Sequence, residues 1–142
     1  MMRNVTIATL LAAAIATQQW CVLAALGNPD AVLLLYLIGI PVTFGLPFLA
    51  GLLASRGREL AYQRNALIVG SLGGGAGVVA SLVPWMSELD TLFPGMPKAQ
   101  SLAFLLLGGV VILGNEVGLS LAGGTVAVWL KTRKPSSTAH PA

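Results

Sequence analysis

Residues 101–130 read SLAFLLLGGVVILGNEVGLSLAGGTVAVWL. This run is longer than the ~20 residues a helix needs to cross the hydrocarbon of a bilayer. It carries a single charged side chain, Glu116, with Asn115 beside it. In lipid every backbone polar group must be satisfied internally, so the run reads as a membrane-spanning helix. None of its length alternates with the period-2 pattern of a barrel strand.

Three further stretches of the same kind precede it, at about 5–26, 31–54 and 66–86. Together the four runs describe an all-α integral membrane protein, a four-helix transmembrane bundle within a single domain, residues 1–130. A basic tail at 131–142 has the composition of an unstructured end. The bulk numbers agree: 142 residues, 56% hydrophobic and only 9% charged, with a mean hydropathy of +0.83. Soluble domains carry about 25% charged residues, so lipid is the solvent this surface suits.

The linkers are short. GNPD (27–30) has a helix-ending glycine followed by turn residues. SRGRELAYQRN (55–65) and SELDTLFPGMPKAQ (87–100) join the later spans, and Pro94 and Pro97 should break helix in the second of these. No linker is long enough to hold a soluble domain.

The net charge of +3 is a topology signal and not a nucleic-acid footprint. Arg3 precedes the first span; Arg56, Arg58 and Arg64 lie in the middle linker; Lys131, Arg133 and Lys134 lie in the tail. The other two linkers hold only Lys98 against Asp30, Glu88 and Asp90. Positive residues concentrate on the cytoplasmic side, so both termini are expected there, with the basic clusters touching anionic headgroups. The expected location is the plasma (inner) membrane, crossed several times. Trp85 and Trp129 sit where interfacial anchors belong. Residues 1–16 also resemble a secretory signal ending in a small-residue cleavage site, but the apolar run resumes after Gln19 and continues to Leu26.

Helices in lipid associate through close approach of small residues. In the third span Gly70, Gly73, Gly74, Gly77, Ser81 and Pro84 recur at three- and four-residue steps, as one stripe. In the fourth, Gly109, Glu116, Ser120, Gly123 and Ala127 do the same. The first span offers Ala8, Ala12, Ala16 and Gln19, and the second Gly39, Thr43, Ala50 and Ala54. Gln19, Thr43 and Glu116 are therefore expected to point inward and to meet near mid-bilayer. Pro41 and Pro47 should kink or loosen the second span.

An ionised glutamate at that depth costs about 2.5–3.5 kcal/mol or more. No lysine or arginine inside a span is available to pair with it. Two readings of Glu116 stand. It is a protonated carboxyl hydrogen-bonded to Gln19, Thr43, Asn115 or a partner subunit, or it exchanges a proton or binds a cation from a cavity. Catalysis has no support: one histidine and one cysteine exclude nucleophilic dyads and Cys/His metal clusters, and no second intramembrane carboxylate provides acid–base chemistry. No metal, cofactor or nucleic acid is implied. The expected function is a non-catalytic membrane subunit or scaffold, packed with partner helices or with copies of itself through Gly/Ala/Ser faces. The alternative is a small oligomeric transporter or channel using Glu116 for proton or cation coupling.

Overall fold

The computed structural model describes residues 2–133. Lys134, His140 and the rest of the tail lie outside the described residues. Four long helices form: α1 (Met2–Ala24), α2 (Pro29–Ser55), α3 (Tyr62–Ser87) and α5 (Lys98–Thr132). A single turn, α4 (Leu89–Leu92), interrupts the third linker, and a 3-10 turn (Glu59–Ala61) precedes α3. There is no strand among the described residues, and each of the four long helices is long and apolar enough to span a membrane. The helices extend beyond the sequence boundaries by one to four residues at each end, except that α1 stops at Ala24, two residues short of the expected 26. In particular, α5 rises about 52 Å at 1.5 Å per residue. That exceeds the ~30 Å hydrocarbon, so α5 tilts or projects from it.

Local chemistry fixes the helix starts and stops. Gly27 takes the left-handed conformation at φ +113°, which a residue with a Cβ resists. Asn28 then caps α2, its Oδ1 accepting the Ala31 N–H at 3.2 Å, with Pro29 in the first turn. Gly57 and Gly95 also adopt positive φ in the two remaining linkers. At the far end of α5, the Arg133 guanidinium lies 3.9 Å from the Trp129 ring centroid.

Only one of the three extensive helix pairs joins consecutive spans. Helix α3 packs along α1 on one side and α5 on the other, and α5 packs along α2. Contact between α1 and α2 is slighter, and α2 also meets α3 across the centre. The diagonal pair α1 and α5 stands apart. Directions alternate. Gly70 packs on Ser120, and Gly74 packs on Glu116, so α3 and α5 run antiparallel. The first turns of α1 and α3 meet at Asn4 and Asn65.

One end of the bundle thus gathers Arg3, Arg56, Arg58, Arg64, Lys131 and Arg133. There Arg3 Nη2 donates to the carbonyls of Ala54 and Arg56, at 2.9 Å each, capping the negative end of α2. The opposite end carries Asp30, Glu88 and an exposed ion pair, Lys98–Asp90 at 3.5 Å.

Interhelical packing sets large residues against glycines. Gly73 receives Leu11, and Gly77 receives Ile15. The buried face of α1 is accordingly Asn4, Ala8, Leu11, Ile15 and Val22. Of the alanine stripe expected to face inward, only Ala8 is buried; Ala12, Ala16 and Gln19 are half-buried at its flank. The reason is complementarity: α3 supplies the small residues at that interface, so α1 supplies the bulk. Helix α2 continues through both Pro41 and Pro47. At Pro47 the Ser120 hydroxyl reaches across from α5 and donates to the proline's carbonyl at 3.1 Å, which ties α2 to α5; the carbonyl that the proline ring leaves without its helical donor is that of Thr43, four residues earlier.

Candidate functional site

The third- and fourth-span stripes face each other. Gly70, Gly73, Gly74, Gly77, Ser81 and Pro84 are all buried on α3. Gly109, Glu116, Ser120 and Gly123 are buried on α5, with Ala127 half-buried. Successive turns interlock, so that a side chain on Gly70 would meet Ser120 and one on Gly74 would meet Glu116. A Cβ built on Gly74 would lie 2.8 Å from Glu116 Cβ, 3.2 Å from its Cγ and 3.3 Å from Leu113 Cδ1. Glu116 therefore occupies space that the missing side chain of Gly74 leaves. It is 1% exposed, the largest fully buried side chain among the described residues. Its Oε2 is buried and has no hydrogen-bond partner.

The expected meeting of Gln19, Thr43 and Glu116 does not occur. Thr43 pairs with the preceding glutamine: Gln18 Nε2 donates to Thr43 Oγ1 at 2.9 Å, and Thr43 Oγ1 lies 3.2 Å from Gln18 Oε1. Gln18 Nε2 also approaches the Gly39 carbonyl at 3.4 Å. A Cβ on Gly39 would fall 2.6 Å from that nitrogen, so any larger residue would have to displace the end of the Gln18 side chain. The difference of one residue is a rotation of about 100° on a helix. It follows from the choice of buried face on α1, since Gln18 continues the line of Leu11, Ile15 and Val22. Gln19 instead lines a cleft at the end of the bundle opposite the arginines. Asn115 is half-buried, and its side chain makes no hydrogen bond with the described residues.

Sequence reasoning missed a buried amide pair at the arginine-rich end. Asn4 Nδ2 donates to Asn65 Oδ1 at 2.9 Å, and the two side chains are 4% and 3% exposed. Asn4 Oδ1 and Asn65 Nδ2 remain buried without partners. The signal was present: each asparagine begins the buried stripe of its helix. Gly51 was missed as well. It abuts the Ser120 backbone so closely that a Cβ would fall on the carbonyl oxygen, and Gly123 meets the Phe48 carbonyl in the same way.

The Gln18–Thr43 and Asn4–Asn65 pairs couple helices, whereas Glu116, Gln19 and Asn115 make no side-chain hydrogen bond with the described residues. Among the described residues no three His, Cys, Asp or Glu side chains come together to hold a metal ion. Cys21 is exposed and free. Comparison of the chain with known protein families, with curated proteins and with solved structures finds no match.

Proposed function

We propose that the protein is a small, non-catalytic, multi-pass subunit of the plasma (inner) membrane, with both termini cytoplasmic, that packs against partner helices through the outer face of α5. One observation carries this reading. The faces expected to serve partners (Gly70, Gly73, Gly74, Gly77, Gly109, Ser120, Gly123) are taken up inside the bundle, yet a second small-residue line points outward. Gly114, Gly118 and Ala122 are exposed at four-residue steps, and nothing lies within 4 Å of a Cβ at either glycine. That spacing lets another helix backbone approach closely. Asn115 stands beside the line with its amide unpaired, in a setting where interhelical hydrogen bonds contribute about 0.6–2 kcal/mol. The gathering of arginines and lysines at one end of the bundle supports the cytoplasmic orientation.

The test is purification of the tagged chain in mild detergent with the native sequence and with Gly118→Leu. The native chain carries a stoichiometric membrane partner, and Gly118→Leu releases it. A partner retained by Gly118→Leu would refute the assigned face.

The alternative, an oligomeric transporter using Glu116 for proton or cation coupling, draws support from the buried Oε2 that lacks a partner. An intramembrane acid marks a functional position by default. The two readings part at Glu116→Gln. Glutamine leaves a packing subunit working, whereas it abolishes pH- or cation-dependent flux in proteoliposomes if the carboxyl carries the ion.

A further inference from the structure

Because α1 and α5 stand apart, a cleft of about 320 Å³ opens between them above α3. Small-molecule sites begin at about 300 Å³. Its walls are apolar, from Ile15 on α1 to Gly108 on α5. The linker after α4 roofs it: Phe93 lines the cleft and stacks on Phe104, ring centroids 6.4 Å apart. On the α5 side the wall is notched at Gly108, which is exposed and has nothing within 4 Å of a built Cβ. The cleft is thus covered at the end of the bundle and open sideways, towards hydrocarbon.

Three residues with polar side-chain groups line it. The Ser81 hydroxyl is already committed to the Gly77 carbonyl at 2.7 Å. Trp85 Nε1 is buried out of reach of the cleft, so the group free to meet a ligand is the Gln19 amide, which makes no hydrogen bond with the described residues. A donor left unpaired in an apolar environment is costly. No charged side chain lines the cleft, so it suits a neutral acceptor joined to an apolar chain. A ligand entering from the side, at a depth close to the end of α3, arrives from the bilayer itself.

We propose that this cleft holds one acyl chain of an ester-linked bilayer lipid, with the ester carbonyl accepting a hydrogen bond from Gln19 Nε2. The chain fills the space between α1 and α5, and the headgroup stays outside the roof formed by the α4 linker. The site borders the partner face, since Gly108 stands seven residues before Asn115 and so on the same side of α5.

The experiment uses the full chain carrying Trp20→Phe and Trp129→Phe, so that Trp85 is the only fluorophore of its kind. It is reconstituted into ether-linked phosphatidylcholine vesicles containing a small fraction of ester-linked phosphatidylcholine with brominated chains, and into the reverse mixture. The brominated ester lipid quenches Trp85 about 2–10-fold more than its mole fraction predicts, the weight of one net hydrogen bond. The brominated ether lipid does not. Gly108→Leu, which fills the notch, returns quenching to the mole fraction. Gln19→Leu removes the preference for ester over ether. Equal quenching by the two lipids in the unfilled cleft, or excess quenching that survives Gly108→Leu, overturns the proposal. An absence of quenching by either lipid also overturns it, because the cleft is then closed to lipid by some other occupant, such as a partner helix.

Discussion

Replacing Gly51 with alanine should force α2 and α5 apart. A Cβ at that position would fall on the Ser120 carbonyl, and would stand only 2.6 Å from Ser120 Cα. Neither obstacle is a flexible side chain; both belong to a helix backbone, so the helices must separate. Overpacking of this kind costs about 1–3 kcal/mol. Separation also stretches the 3.1 Å bond from Ser120 Oγ to the Pro47 carbonyl, which contributes about 0.6 kcal/mol in a membrane setting. Alanine's better helix propensity returns up to about 1 kcal/mol. Gly45→Ala in the same helix isolates the contact, because nothing lies within 4 Å of its Cβ and it gains the same propensity. The two variants should therefore differ by roughly 2–4 kcal/mol. Reversible unfolding by titrated SDS in mixed micelles measures that difference. Coincident midpoints for Gly51→Ala and Gly45→Ala would refute the close backbone approach.

The other buried contacts make further predictions. Asn4→Leu and Asn65→Leu each strand a buried amide and should cost about 1–3 kcal/mol, while the double variant recovers much of the loss; strictly additive effects in the same SDS titration would mean the pair does not interact. Gln18→Leu should lower the unfolding midpoint through loss of the Thr43 bond, by about 0.6–1.7 kcal/mol, whereas Gln19→Leu should leave it within about 0.5 kcal/mol; equal effects would return the wrong rotation of α1. Arg3→Ala should speed amide exchange in the last turn of α2 while leaving global stability nearly unchanged, as expected of an exposed cap; unchanged exchange at Ser55 and Arg56 would show that the cap is idle.

The four spans were legible because each exceeds bilayer thickness in uninterrupted apolar sequence, a signal that needs no knowledge of neighbours. The inward faces of α3 and α5 were legible for a related reason. Glycine, serine and one glutamate recur there at helical spacing against bulky residues elsewhere. The face of α1 was not, because small residues mark an interface without saying which helix contributes them. Here Gly73 and Gly77 already provide the hollows, so Leu11 and Ile15 fill them and the alanines turn aside. That rotation exchanged Gln18 for Gln19 and removed the expected cluster around Glu116. Gly51 and the Asn4–Asn65 pair depend on how α2 crosses α5 and how α1 aligns with α3, and pairings between distant segments leave no mark on either segment alone.

The order of neighbours also bears on how the molecule is made. A chain entering the membrane from its N-terminus presents α1 and α2 first, and these two touch each other only slightly. The principal neighbour of α1 is α3, and that of α2 is α5, the last helix to arrive. The first hairpin therefore waits in lipid with Gln18 and Thr43 bonded to each other but with Asn4 lacking its Asn65 partner. Its native shape is completed only when the second hairpin packs alongside, α3 on α1 and α5 on α2. Synthesis and folding are thus offset in time, and a chaperone or insertase that shelters polar side chains has its period of use between emergence of α2 and arrival of α5.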